Sequence, residues 1–243
     1  MSWETIAGVQ FIILVAYFMF GVSGFGSSLI AVPLLSHLMP LRSAVMLALV
    51  LDLASAIGQS RKDRKYVRWD EIKLLIPFAL IGIIAGAILM SRVAGDSLLL
   101  VLGVFVTFMG VYYLVSGSKK GIVSRYWSAP AGLIGGAASA LFGTGGAAYM
   151  GYFGHRLDDR HELRATFSGL LALDGSLRIA VFIVGGLFFS SLDLKLLIAV
   201  LPIMLVGLWL GRCAHAVITN RQMKYVIAIL LIASGLSLVM RGA

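Results

Sequence analysis

The sequence predicts an all-α polytopic membrane protein made of two inverted-topology repeats, each a broken helix or re-entrant hairpin followed by three transmembrane helices. Three observations carry that prediction. Long apolar runs recur along all 243 residues, two of them are interrupted by glycine, and the second half repeats the polar punctuation of the first. Hydrophobic residues make up 60% of the chain and charged ones 13%, and the mean hydropathy is +0.97, so lipid is the natural solvent for most of its surface. The runs are helical in length and lack the alternation of barrel strands. They leave room for one transmembrane domain, 1–243, and no second one.

The start MSWETIAGV has no basic n-region and no small-residue cleavage site follows the first apolar run, so that run is expected to stay in the membrane. Cys213 is the single cysteine, which excludes an internal disulfide and a cysteine-based metal cage; no metal or cofactor is expected. The net charge of +9 would suggest nucleic acid in a soluble protein. Here Lys and Arg sit in short loops between apolar runs, the pattern of positive-inside sorting, so no nucleic-acid partner is expected.

The first element is the run from Ile6 to Leu38, too long for one crossing and broken at its centre by GVSGFGSSLIAVP, residues 21–33. Crossings follow at about 42–60, 72–90 and 97–116, each near the twenty residues that hydrocarbon needs. A second broken run spans 129–154, interrupted at Gly143-Thr144-Gly145-Gly146, and is followed by crossings at 163–185, 194–212 and 221–240. The two halves correspond: Gly24-Phe25-Gly26-Ser27 to Gly143–Gly146, Arg42 and Asp52 to Arg164 and Asp174, Pro77, Gly82 and Gly86 to Pro202, Gly207 and Gly211, and Gly110 to Gly235. The offset grows only from 119 to 125, which marks repeats at about 5–117 and 128–241.

Charge decides between crossing and returning. If both broken runs cross, the loop Lys and Arg divide 11 to 8 between the two faces; if both are hairpins, the basic loops come together and the division is 15 to 4. The hairpin arrangement obeys the positive-inside rule better and gives each half three crossings, which inverts the second repeat.

Non-helical backbone at membrane depth is tolerated only where protein or a water-filled cavity covers it. The breaks should therefore line a cavity, and at each one a half-helix starts with unsatisfied N–H groups and a positive dipole end, which suits an anion. The candidate substrate-binding residues are Ser23, Gly24, Gly26, Ser27 and Ser28 at the first break, Gly143, Thr144, Gly145 and Gly146 at the second, and Arg178. Gly82/Gly86 and Gly207/Gly211 are small-xxx-small pairs and read as helix packing.

Asp52 and Asp174 fall near the middles of their helices and Arg178 lies one turn after Asp174. Intramembrane ionisable residues are costly and normally face the protein interior. One guanidinium cannot neutralise two carboxylates, so Asp52 and Asp174 are the candidate proton-coupling residues, and only Asp174 has an arginine one turn away in its own helix. A structural ion pair is the competing role for Asp174 and Arg178. The basic loop RKDRKYVR is expected to orient the chain and touch anionic lipid.

The duplicated glycine break, the proline soon after it in GFGSSLIAVP, the helix running from Arg to Asp after each break and the length near 250 residues make the sequence resemble the sulfite exporter family of the TauE/SafE type over essentially the whole chain. The resemblance implies a bacterial inner-membrane transporter, multi-pass, associated with sulfite, sulfonates or related organic anions. This chain carries Phe25, Ser27 and Ser28 where that family has a more glycine-rich first break, and Tyr152 in place of the second-half proline.

Other classes compete. Gly21-Val22-Ser23-Gly24 is a G-x-S-G string like that around the serine of rhomboid-type intramembrane proteases, but His37, His155, His161 and His215 all fall at helix ends or in loops. An anion channel is the stronger rival. A scaffold would leave the intramembrane Asp, Arg and Ser residues unexplained. No G-x-x-x-x-G-K-[ST] loop occurs, so the expectation is a secondary carrier, not an enzyme. Its partners would be a small anionic substrate, the lipid bilayer and protons, with a homo-oligomer left open.

Overall fold

In a computed structural model the chain is described over residues 3–23, 26–60, 64–115, 123–157, 159–188, 193–214 and 220–242. Among these residues the elements are helices: α1 Trp3–Ser23, α2 Ser27–Leu35, α3 Leu41–Ser60, α4 Trp69–Arg92, α5 Gly95–Val115, α6 Ser128–Phe142, α7 Gly146–Arg156, α8 Arg160–Val184, α9 Leu194–Ala214 and α10 Asn220–Gly242. Short 3₁₀ turns cover Arg64–Tyr66 and Arg125–Trp127. Six of the described helices, α1, α3, α4, α5, α8 and α9, carry stretches long and apolar enough to cross a membrane. The chain is an all-α polytopic membrane protein.

Two compact units form, and each draws on both halves of the sequence. Unit 1 comprises Met1–Ala48, Val93–Ser118 and Ser191–Ala243; unit 2 comprises Leu49–Arg92 and Lys119–Ser190.

In unit 1, α1 packs on α9 and α5 packs on α10. The small-xxx-small pair of α9 makes the first contact close: a methyl group added at Gly207 would meet the Leu14 carbonyl at 2.8 Å, and one added at Gly211 would meet that of Phe18. With no hydrophobic drive between helices in lipid, such close backbone approach is what holds them. The second contact is reciprocal. Gly110 faces the Ala228 carbonyl and Ile232, while Gly235 faces the Gly103 carbonyl and Thr107.

In unit 2, α4 packs on α6 by the same device: Gly82 and Gly86 lie against the carbonyls of Leu133 and Ala137. Leu133 and Ala137 stand 119 residues after Leu14 and Phe18, and Gly207 and Gly211 stand 125 after Gly82 and Gly86. The contacts thus recur at the offsets at which the motifs recur.

Both broken runs fold back. In unit 2, Gly135 of α6 lies against the Tyr149 ring of α7, and Gly145 against the Gly135 carbonyl and Ser139, so the two helices form a tight hairpin. Its open end is pinned: Arg156 at the end of α7 donates to the Val123 carbonyl just before α6. In unit 1, Gly8 near the start of α1 touches Leu38, just beyond α2, which brings the chain back alongside α1. The expectation of paired half-helices fits α6 and α7, with 15 and 11 residues, better than the first break. There α1 runs uninterrupted for 21 residues, about 31 Å at 1.5 Å per residue, and only the nine-residue α2 is short.

Candidate functional site

The second break is built by helix-end chemistry. Gly143 closes α6 in the left-handed region (φ 70°), with its N–H on the Ser139 carbonyl and the Thr144 N–H on that of Ala138. The bond from the left-handed Gly143 to the carbonyl four residues back is an αL ending, which satisfies a carbonyl that the helix leaves open. Gly145 then caps the start of α7, and the Ala148 and Tyr149 N–H groups return to its carbonyl. Gly145 has no room for a side chain because the Gly135 carbonyl and Ser139 occupy it. Thr144 is buried at the turn.

Beneath this turn lies a charged cluster. Asp174 of α8 is fully buried; its Oδ1 accepts from the Tyr149 hydroxyl at 2.8 Å and its Oδ2 from the Ser139 hydroxyl at 2.5 Å. Arg178, one turn on and 2% exposed, sets Nε 3.0 Å from Asp174 Oδ2 and donates Nη1 to the Ser139 carbonyl at 2.7 Å. The Nε contact is an ion pair without the alignment of a hydrogen bond. A cation at the last carbonyls of α6 also meets the negative end of that helix dipole. A buried pair survives only when further hydrogen bonds satisfy it, and Ser139 and Tyr149 supply them.

The structure therefore brings Gly143, Thr144, Gly145, Gly146, Asp174 and Arg178 together within unit 2. Asp52 belongs to the same unit, half-buried on α3, where the adjacent Leu53 packs against Gly175 of α8. The first break lies in unit 1. Ser23 is the last residue of α1, Gly24 lies outside the described residues, Gly26 caps α2 at φ 89°, and Ser27 and Ser28 open α2 with buried side chains. The two breaks differ in detail, since Gly26 is left-handed whereas its counterpart Gly145 is not, with φ -57°, and Gly143 is the left-handed residue there.

Sequence reasoning missed Ser139 and Tyr149. Their signal was present, as the serine of GGAASALFG and the first tyrosine of GAAYMGYFG on either side of the break, but only the fold-back of α7 shows that both reach one carboxylate. It also missed Glu71. That side chain, 2% exposed in the first turn of α4, accepts from Arg156 at 2.6 Å and from the Tyr152 hydroxyl at 2.7 Å, with Arg125 at 3.6 Å. Tyr152, at the position of the second-half proline, thus supplies a buried hydrogen bond. The last arginine of RKDRKYVR is not a plain lipid contact: Arg68 pairs with Asp70 and Glu162 at 3.3 Å each, and its backbone N–H donates to Thr166 Oγ1.

The comparisons follow this architecture. Residues 9–238 match the family described as "Sulfite exporter TauE/SafE". The chain belongs to the TauE/SafE family. It is similar to the "Probable inner membrane transporter protein TsaS" of Comamonas testosteroni, 29% identical over 194 residues that span 79% of this chain and 81% of that protein. No solved structure matches it. As a TauE/SafE protein with these apolar helices, the chain is a multi-pass membrane transporter.

Proposed function

We propose that this TauE/SafE protein is a secondary transporter of the bacterial inner membrane that exports small sulfur-containing or organic anions of the sulfite, sulfonate or carboxylate type. The single observation that carries this reading is the buried Asp174–Arg178 cluster directly under the α6–α7 break. Asp174 and Arg178 cancel in net charge, so the attraction for an anion comes from the start of α7, with Thr144 beside it, and from the guanidinium edge that neither Asp174 nor the Ser139 carbonyl occupies. Ser27 and Ser28 hold the matching positions at the start of α2 in the other unit. The contact pairs that recur at the motif offsets support two repeats in inverted topology, the plan of many secondary carriers.

Proton coupling belongs to Asp52 in this reading. Both Asp174 oxygens are engaged, by the hydroxyls of Tyr149 and Ser139 and by the charge of Arg178. Asp52 is its counterpart in the first repeat and is half-buried at the depth where α3 meets α8. The test is counterflow of a panel of anions in proteoliposomes. Saturable exchange is expected, weakened more by Arg178→Ala than by Arg178→Lys, and Asp52→Asn is expected to keep exchange while losing accumulation driven by a pH gradient. Non-saturable flux would make the protein a channel, and unchanged affinity in a folded Arg178→Ala protein would remove that residue from the site.

A further inference from the structure

Unit 1 contains a cavity of about 610 Å³, within the size range of small-molecule sites. Its walls come from four places in the chain: the turn after α2 with Ser36 and His37, the start of α3 with Arg42, the start of α5 with Asp96 and Leu99, and Arg241 at the end of α10. The two arginines are held by backbone on the rim. Arg241 donates Nη1 to the Ser36 carbonyl at 3.0 Å, and Arg42 reaches the Val93 carbonyl at 3.5 Å. Each guanidinium is a planar fork of five donors, suited to an oxyanion at the rim where these backbone bonds hold it.

Helix ends reinforce the charge. α3 and α5 both begin at this cavity, and the first intrahelical bonds there are Ala44 N–H to Pro40 and Leu98 N–H to Ala94. The N–H groups before them form the positive ends of two helix dipoles. Among the described lining residues, two arginines stand against one carboxylate, Asp96. His37 is held below its ordinary range by burial and by the Arg241 charge, which makes it a neutral hydrogen-bonding group at pH 7. Most of the remaining lining is leucine, methionine and proline.

We propose that this cavity is a second, independent anion site, which binds an oxyanion bearing an apolar group, with Arg42 and Arg241 clamping the charged end and the leucine wall receiving the rest. A bare inorganic anion fills little of 610 Å³ and leaves the apolar wall unused. The same chemistry is offered by a free amphiphilic sulfonate and by the phosphate of a phospholipid headgroup. None of the residues assigned to transport lines this cavity, so it does not depend on the transport reading.

The experiment uses the full-length protein in phosphatidylcholine nanodiscs with isotope-labelled histidine, the His37 resonance being assigned by its loss in His37→Gln. Titration with hexanesulfonate should shift that resonance saturably, and equimolar inorganic sulfate should bind at least tenfold more weakly. Arg42→Gln/Arg241→Gln should weaken hexanesulfonate at least tenfold while the lysine pair Arg42→Lys/Arg241→Lys retains part of the affinity; the lysine pair also controls for a glutamine variant that misfolds. Phosphatidylglycerol in the nanodisc distinguishes the sources. Competition by it assigns the site to a headgroup phosphate, and its failure to compete assigns it to a free anion. A His37 resonance that neither hexanesulfonate nor phosphatidylglycerol moves, or a folded glutamine pair with wild-type affinity, would overturn the proposal.

Discussion

Replacing Asp174 by asparagine removes one charge from the cluster under the α6–α7 break and almost no volume. The side chain is fully buried, its oxygens are bonded by Tyr149 and Ser139, and Arg178 lies 3.0 Å away at 2% exposure. An amide can still accept from one hydroxyl, so the main loss is the counter-charge of a desolvated guanidinium. Breaking a buried pair from one side destabilises by about 3–5 kcal/mol, whereas replacing both partners by apolar groups is often near neutral. Asp174→Asn and Arg178→Met are therefore each expected to lower stability by about 3–5 kcal/mol, and the double variant by clearly less than their sum. Tyr149→Phe, which removes one hydrogen bond to a charged acceptor, should lose about 1.5–3 kcal/mol. The assay is equilibrium unfolding in mixed micelles with increasing dodecyl sulfate, followed by far-UV circular dichroism. An Asp174→Asn protein within about 1 kcal/mol of the wild type, or strictly additive single variants, would refute the argument that these groups form one interdependent cluster.

Gly82→Leu should separate α4 from α6, because even a methyl group there meets the Leu133 carbonyl; a loss of about 1–3 kcal/mol or more in the same unfolding assay is expected, while Gly151→Ala, which faces open space, should be tolerated. Asp159 caps α8 by accepting from the Glu162 and His161 N–H groups, which hold its carboxyl below the usual range. Its contribution is present above the unfolded value of about 3.9 and lost as pH falls through the folded one, so amide exchange in the first turn of α8 should rise on acidification in the wild type and not in Asp159→Asn. Because burial and the Arg241 charge hold His37 below its ordinary range, with Arg42 and Asp96 lining the same cavity, acidification through its pKa adds a positive charge; hexanesulfonate binding should tighten as pH falls below the ordinary histidine range, and His37→Gln should lose that dependence. In the inverted topology, Ser124→Cys should be reached by impermeant maleimide only from the cytoplasm and Ser91→Cys only from the periplasm; labelling of position 124 in intact cells would reverse the orientation.

The apolar runs alone placed the long helices. The expected 42–60, 97–116 and 194–212 differ by at most two residues from α3, α5 and α9. Glycine pairs read as packing devices at Gly82/Gly86 and Gly207/Gly211 indeed meet carbonyls. What could not be read was the partner. A small-xxx-small pair announces a close neighbour without naming it, and that α9 clasps α1 while α4 clasps α6 is a long-range choice that no local pattern encodes. Ser139 and Tyr149 were hidden for the same reason. Glu71 was hidden by a boundary: α4 begins at Trp69, three residues before the hydropathy signal, which draws Asp70 and Glu71 into its first turn, where Arg156 and Tyr152 meet Glu71.

The reciprocal contact between α5 and α10 has an evolutionary consequence. Gly110 with Ala228 and Ile232, and Gly235 with Gly103 and Thr107, are one set of contacts with the roles exchanged, since each pair of counterparts stands 125 residues apart. That exchange is the mark of an isologous interface between identical subunits. A half-length ancestor holding only the first five helices would already have owned both sides of it, as well as the clasp of α4 on the helix that α6 duplicates. On the reading that the two halves are repeats, two such chains could make this contact only as a pair, and a fused chain would be free to carry a phenylalanine, a tyrosine or a mid-helix arginine in one half without imposing it on the other.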